Sequence, residues 1–312
     1  MPKIRAVVEG IGRNRRVRLF AGLTAFVFLA CIEIGCGGQN EHAGRPTVVV
    51  SIPPLAYFAE RIAGPDLHIS TLVPPGTDPH HFEPAMLQLL DLNRAAIYLE
   101  MGHPRLEFET MLRKRHFEDY PNLEVLRLTD SLPLTVEDPH AWTSPRLAKK
   151  MAQTIAERLT SLSPANSEFE IRLETLLTEI DALDRKFRQW SNQPGATRAF
   201  FSHHDAWGYF ARDYDLTQTA LLVDHAEPSA ARLARVIAKG RRENVRVVLV
   251  QPGFSEESAR TVAEEIGAQV VTVDPLGSDW LAEMNQLADA LIAADAIVQS
   301  ESNPGQSKEQ RP

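Results

Sequence analysis

The pattern that most restricts how this chain can fold is a β/α alternation that occurs twice, on either side of one long apolar stripe. Short runs rich in β-branched and aromatic residues at 47–52, 68–73, 95–101 and 123–128 read as strands. Amphipathic stretches at 55–63, 86–93 and 105–115 read as the helices between them. Strands separated by helices of this length are joined by crossovers, which predicts a parallel sheet with helices on both faces. The rhythm breaks at a helix over 145–162 and at residues 163–166, which hold an N-cap candidate. Beyond that break Phe169, Leu173, Leu176, Leu177, Ile180, Leu183, Phe187 and Trp190 recur at spacings of three and four, marking one face of a helix that ends near residue 190. About 25 residues at a helical rise give a rod of about 37 Å, enough to run the height of a two-lobed molecule. The alternation then resumes, with strands at 199–202, 217–223, 245–250 and 269–273 and helices at 206–213, 229–243, 256–266 and 279–294. The expected fold is α/β, two Rossmann-like lobes with parallel sheets bridged by one long helix. The expected boundaries are 47–162 for the first lobe, 163–195 for the connecting helix and 196–298 for the second lobe, with 299–312 a disordered polar tail.

A chain of 312 residues is long enough for two such lobes, each with its own core. The formal net charge of −8 and the absence of a basic stripe in the body argue against nucleic acid as a partner. That acidity favours cations only weakly, because most of it falls on helix faces that meet water. The N-terminus differs in kind. Lys3, Arg5, Arg13, Arg15, Arg16 and Arg18 precede an apolar run over 19–30 that is too short to span a bilayer comfortably and suits the apolar region of a signal peptide. Both cysteines, Cys31 and Cys36, follow this run, each behind a small residue, Ala30 and Gly35. The arrangement resembles a bacterial lipoprotein signal, in which a lipidated cysteine becomes the new N-terminus. Cys31 fits better, because Glu33 lies three residues before Cys36. Residues 1–31 are then the signal peptide and 32–46 a tether. With no cysteine after Cys36, the body can hold no disulfide and no thiolate ligand, so any metal site must use His and carboxylates.

Four segments place such residues beside strand ends or loops. They are Asp78-Pro79-His80-His81, Asp138-Pro139-His140-Ala141-Trp142, Ser202-His203-His204-Asp205-Ala206-Trp207-Gly208-Tyr209 and Asp274-Pro275-Leu276-Gly277. All but the second follow a predicted strand, where open α/β sheets bind ligands, and a cleft between two lobes could bring all four together. Taken singly, an Asp-Pro-His is a turn and an Asp before proline a strand-end cap, while His42, His68, His103 and His116 read as ordinary surface or partly buried residues.

Together, and in this order around a long central helix, the segments resemble the zinc- and manganese-binding solute-binding proteins of ABC importers, the ZnuA/TroA-like family. Leu72-Val73-Pro74 and Glu227-Pro228-Ser229 belong to the same resemblance, which spans roughly residues 47–294. It implies a protein that captures a divalent metal in the interlobe cleft and delivers it to an ABC permease. The chain would act as a monomer held at the membrane by its lipid. Carried over by position, the metal ligands fall on His80, His140, His204 and Asp274. His81 and His203 are neighbours without a role, Ser229 caps a helix, and His225 stays outside the site. Three neutral imidazoles and one carboxylate form a shell that suits Zn²⁺. Asp78, Asp138 and Asp205 are candidate partners for the imidazole N–H groups, with turn capping the plainer role. Members that resemble manganese carriers put Glu at the position of His204, so His204 points to zinc, with Mn²⁺ the alternative. One departure works against zinc: residues 128–138 form a short segment without histidine, where many zinc-specific members carry a long His-rich loop.

Two other readings compete with this one. A metal-dependent hydrolase needs an open coordination position and a nearby general base. Four protein ligands leave no such position, and the sequence holds no zincin helix or nucleophile elbow, so the chain is expected not to be an enzyme. A surface adhesin would be compatible with metal binding.

Overall fold

The computed structural model describes residues 45–79, 82–116, 120–135, 137–164, 166–222 and 227–302. The expected signal peptide, both cysteines, His80, His81 and His225 lie outside these residues.

The first lobe is built on β1 (Thr47–Val50), β2 (His68–Thr71), β3 (Ala95–Glu100) and β4 (Glu124–Arg127), ordered β2-β1-β3-β4 and parallel throughout. The second repeats that plan with β5 (Ala199–Ser202), β6 (Thr217–Ala220), β7 (Val247–Val250) and β8 (Gln269–Thr272), ordered β6-β5-β7-β8. Composition decides which strands are central. Three valines in β1, Ala-Phe-Phe in β5 and Val-Val-Leu-Val in β7 are buried on both faces, whereas β6 (Thr-Gln-Thr-Ala) and β2 (His-Ile-Ser-Thr) sit at edges and stay partly exposed. Parallel sheets covered by helices demand such continuous apolar runs at their centres.

In each sheet the chain leaves the first strand to one side and returns to the other. The crevice this creates lies beyond the carboxyl ends of β1 and β3 in the first lobe, and of β5 and β7 in the second. Helices supply the cover: α1 (Pro53–Ala63), α2 (Met86–Arg94) and α3 (Glu107–His116) in the first lobe, then α6 (Gly208–Asp213), α7 (Ala230–Glu243), α8 (Glu257–Ile266) and α9 (Trp280–Ser302) in the second. The capping read from Ser229 is present, its Oγ accepting from Arg232 N at 3.3 Å. The sequence placed the start of α6 at residue 206. It starts instead at Gly208, because Ala206 and Trp207 are held in the loop, where Trp207 N donates to Gln218 Oε1 at 3.1 Å. At the other end α9 runs past residue 294 to Ser302, into the tail expected to be disordered. No Gly or Pro interrupts the chain until Pro304, so nothing stops the helix earlier.

The lobes are linked by helices α4 (Pro145–Leu162) and α5 (Glu168–Ser191), which pack along each other. The 24 residues of α5 give about 36 Å of rod. Its first half is tied to the first lobe. Arg172 Nη1 donates to Ala63 O at 2.6 Å and to Asp66 Oδ2 at 2.8 Å, and Glu179 accepts from Arg61 at 2.6 Å. Gly64, at φ 57°, passes under the Arg172 guanidinium, where a Cβ would come within 2.8 Å. The second half is tied to the other lobe. Trp190 Nε1 donates to Asp295 Oδ2 at 2.7 Å, Asp184 Oδ1 accepts from the Tyr214 hydroxyl at 2.9 Å, and Phe187 packs on Phe210 and Tyr214. The apolar stripe is the buried face, with Phe169, Leu176, Ile180, Leu183, Phe187 and Trp190 all at 2% exposure or less.

Asp295 concentrates much of the second attachment, since its carboxylate also accepts from Thr197 N and from Arg246 Nη1 at 2.6 Å. Asp295→Ala should therefore lower stability to chemical denaturation by about 3 kcal/mol, because it leaves the part-buried Arg246 cation without its carboxylate and the buried Trp190 and Thr197 N–H groups without an acceptor. Asp289→Ala, which removes the exposed partner of Lys186, should cost about 1 kcal/mol or less.

Candidate functional site

The carboxyl end of β5 delivers His203 and His204, and the carboxyl end of β7 delivers Gln251. These are the two strands that flank the crevice of the second lobe. Opposite them, the segment before α4 brings in His140 and Trp142. His140, His204, Gln251, Trp142, Phe254 and Pro275 line one cleft together with Asp78, Pro79 and Leu276. The imidazoles of His140 and His204 stand 5.4 Å apart between ring centroids, inclined by 67°.

His140 is held from every side. Its backbone N and its ring Nδ1 both lie against Asp138 Oδ1, at 2.8 and 2.9 Å. A carboxylate oxygen can only accept, so Nδ1 carries the proton and Nε2 becomes the lone-pair nitrogen, the tautomer a metal ligand requires. Asp138 is fixed in turn by the second lobe. Its carbonyl accepts from the Tyr209 hydroxyl at 3.0 Å, and that hydroxyl accepts from Thr135 N at 2.8 Å. Its Oδ2 rests against Gly208, where a Cβ would stand only 2.5 Å away. Glycine is required there for room, since any side chain would displace the carboxylate.

Two tryptophans join the walls of the cleft. Trp142 Nε1 donates to Pro275 O at 2.7 Å, and Trp280 Nε1 donates to Trp142 O at 2.7 Å. Beside them the Thr143 hydroxyl, 2.9 Å from His140 O and 3.0 Å from Ala206 O, reaches from one lobe to the other. After this turn Ser144 caps α4, its Oγ accepting from Leu147 N at 3.1 Å.

The doublet after β5 separates into two environments. His204 is half-buried, with its ring stacked on Phe254 at 24° and 6.4 Å. Its carbonyl accepts from Ser202 Oγ at 2.7 Å and from Gln218 Nε2 at 3.0 Å. His203 is buried at 2% exposure with Phe254 edge-on to its ring. That burial lowers its pKa, disfavouring the charged imidazolium.

Asp274 follows β8. Its N–H donates to Glu283 Oε2 at 2.8 Å, and its Oδ1 accepts from Leu276 N at 2.9 Å and from Gln251 Nε2 at 3.4 Å. Burial pushes the Asp274 carboxyl above its ordinary value, with the Leu276 and Gln251 hydrogen bonds working in the opposite direction. Asp274 does not itself line the cleft, but Gln251, which donates to it, lines the cleft together with both imidazoles.

Among the described residues, then, His140 and His204 meet, Asp274 approaches through Gln251, and no three His, Cys, Asp or Glu side chains gather closely enough to hold a metal. Asp78 and Pro79, the two residues before His80, line the same cleft. Of the proposed imidazole partners, Asp138 takes that role, and Asp205 is exposed. Sequence reasoning passed over Gln251, Phe254 and Trp280, and it named Tyr209 only as part of the segment after β5, without a role. The first had an available signal, because Gln251 is the residue next after β7 at the same crevice where β5 delivers the histidines.

The chain matches the family described as zinc-uptake complex component A, periplasmic (ZnuA), over residues 48–294. It is 26% identical over 277 residues to the zinc-binding lipoprotein AdcA of Streptococcus pneumoniae (strain TIGR4), covering 80% of this chain but only 54% of that protein. The high-affinity zinc uptake system protein ZnuA of Bacillus subtilis (strain 168) is 25% identical over 307 residues, covering 85% of this chain and 95% of the relative. Among solved structures, a crystal structure of ZnuA superposes with a TM-score of 0.72 and 36% identity, covering 80% of this chain and 99% of that one. The chain thus spans about half the length of AdcA and nearly all of the ZnuA relatives.

The Asp138–His140 pair gives a test that requires no metal. In Asp138→Ala the protonated nitrogen of His140 should no longer be fixed at Nδ1, which imidazole ¹⁵N shifts would record as a mixture of tautomers. Affinity for a metal ligated through Nε2 should fall by about 10- to 100-fold. Gly208→Ala should reproduce part of both effects by pushing Asp138 aside.

Proposed function

Because the chain belongs to the ZnuA family of zinc-uptake components, we propose that it captures a divalent transition metal outside the cytoplasmic membrane, zinc ahead of manganese, and passes it to an ABC permease. The family is one of metal-binding transport proteins, not enzymes, so the metal is cargo and no reaction step is required of the site. The observation that carries the proposal is the convergence of His140 and His204 from the two sides of one cleft, with Asp138 holding the His140 tautomer.

The ligand set we propose is His80, His140, His204 and Asp274. With three neutral imidazoles and one carboxylate, a bound Zn²⁺ leaves about one unit of positive charge in its first shell, and four protein ligands suit near-tetrahedral zinc. His204 supplies a nitrogen where manganese carriers present a harder oxygen, and this supports zinc. Cys31 is proposed to carry the lipid, with Cys36 the alternative. A single acyl chain binds membranes only marginally, so the anchor must combine more than one chain.

Titration of chelator-stripped protein should give one tight site per chain and a rise in melting temperature on metal addition. Two equivalent sites, or none, would sink the proposal. His204→Ala should weaken zinc by orders of magnitude. His204→Glu should lower the ratio of zinc to manganese affinity, even though zinc still binds more tightly in absolute terms. His203→Ala, at a buried residue that does not line the cleft, should leave that ratio nearly unchanged. If His203→Ala abolishes binding and His204→Ala does not, the doublet is misassigned.

The anchor is tested separately. Cys31→Ser should abolish acyl-chain incorporation in cells while leaving metal binding by the body intact. Unchanged labelling in both Cys31→Ser and Cys36→Ser would rule out lipidation.

A further inference from the structure

Gln251 is 7% exposed, and the two ends of its side-chain amide are treated differently. The Nε2 end donates to Asp274 Oδ1 at 3.4 Å. The Oε1 end is buried and has no hydrogen-bond partner. Turning the amide over would set its oxygen against a carboxylate oxygen, so Asp274 fixes the orientation shown. Buried acceptors without a donor cost free energy and are rare in native proteins. This one belongs to a residue that lines the cleft between His140 and His204, where the missing partner would be a cation or the water a cation carries.

The carboxylate gives the same indication from its own side. Among the described residues, both hydrogen bonds accepted by Asp274 fall on Oδ1, from Leu276 N and from Gln251 Nε2. That arrangement assigns Oδ1 to the protein and Oδ2 to a ligand. A glutamate at position 251 would oppose Asp274 with a second negative charge, whereas glutamine adds an oxygen and no charge.

We propose that Gln251 is a positioning and specificity-determining residue for the metal, steering Asp274 through its amide N–H and presenting its own carbonyl oxygen on the cleft wall beside His140 and His204. The inference rests on the metal-capture reading above. The amide helps hold Asp274 by Oδ1 and so leaves Oδ2 for the ligand, and it holds the anionic donors of the site to a single carboxylate. A nitrogen-rich, singly anionic site favours zinc over the harder manganese ion.

The test uses the full chain stripped of metal, with zinc affinity measured by chelator competition and manganese affinity in parallel. The unmodified protein is measured first: if it binds no zinc, the metal-capture reading fails, and that outcome is distinct from a failure at Gln251. Gln251→Met keeps the length of the side chain but removes donor and acceptor. It should weaken zinc about tenfold or more, while the melting temperature of the metal-free protein stays the same or rises, since the unpaired acceptor is gone. In an Asp274→Ala background the same substitution should have much less effect. Gln251→Glu restores an acceptor without the donor, and should lower the zinc-to-manganese affinity ratio. It also serves as the second variant should Gln251→Met fail to fold. Unchanged zinc affinity in Gln251→Met, an undiminished effect without Asp274, or an unchanged ratio in Gln251→Glu would each overturn the proposal.

Discussion

The arrangement of the cleft depends on two linked hydrogen bonds, in which two tryptophan indoles donate to two backbone carbonyls. Trp142 donates to Pro275 O, and Trp280 donates to Trp142 O. Both indoles are at 2% exposure or less, where an unpaired indole N–H would cost free energy. The segment before α4 is thereby fastened to the turn after β8. His140 stands two residues before Trp142, and Asp274 one residue before Pro275. Anchoring the two indoles therefore sets the distance between the walls of the site. Trp280 extends the same lock into the first lobe by packing on Phe58 and Tyr57.

The duplicated topology explains why strand ends matter here. Each sheet has its crevice beside its two central strands, and in the second lobe those strands end in His203-His204 and Gln251. The first lobe contributes differently. Its cleft residues come from the loop after β2 and from the segment before α4, neither of which follows a central strand. His140 accordingly lacks a strand to brace it and takes its rigidity from Asp138, Thr143 and the lock at Trp142. Neighbouring hydrogen bonds do for His140 what sheet register does for His204.

Most of the fold was legible because it is written in periodicity. The two alternations, the central valine runs and the stripe along α5 each follow from burial on a fixed repeat. Boundaries were legible only where a residue forces one. Ser229 and Ser144 start helices through their hydroxyls, but α6 starts two residues later than its apolar pattern because Gln218, a residue on β6, holds the loop. In the site, the histidines could be singled out by chemistry, whereas Gln251 could not, and Tyr209 stood in a motif with no role legible for it. Glutamine and tyrosine are common and uncharged, and their roles depend on partners 23 and 71 residues away in sequence. No local pattern encodes a separation of that kind.

A protein that captures an ion must also release it, and the contacts around the cleft restrict how that can happen. Separating the lobes as rigid bodies would break the Trp142–Pro275, Tyr209–Asp138 and Thr143–Ala206 hydrogen bonds together. It would also work against α5, which is fastened to both lobes along its length. Each of those bonds is individually modest, but they are buried or part-buried and would be lost in one step. Release by parting the lobes therefore carries the combined cost of these contacts, which must be met in a single step rather than one bond at a time.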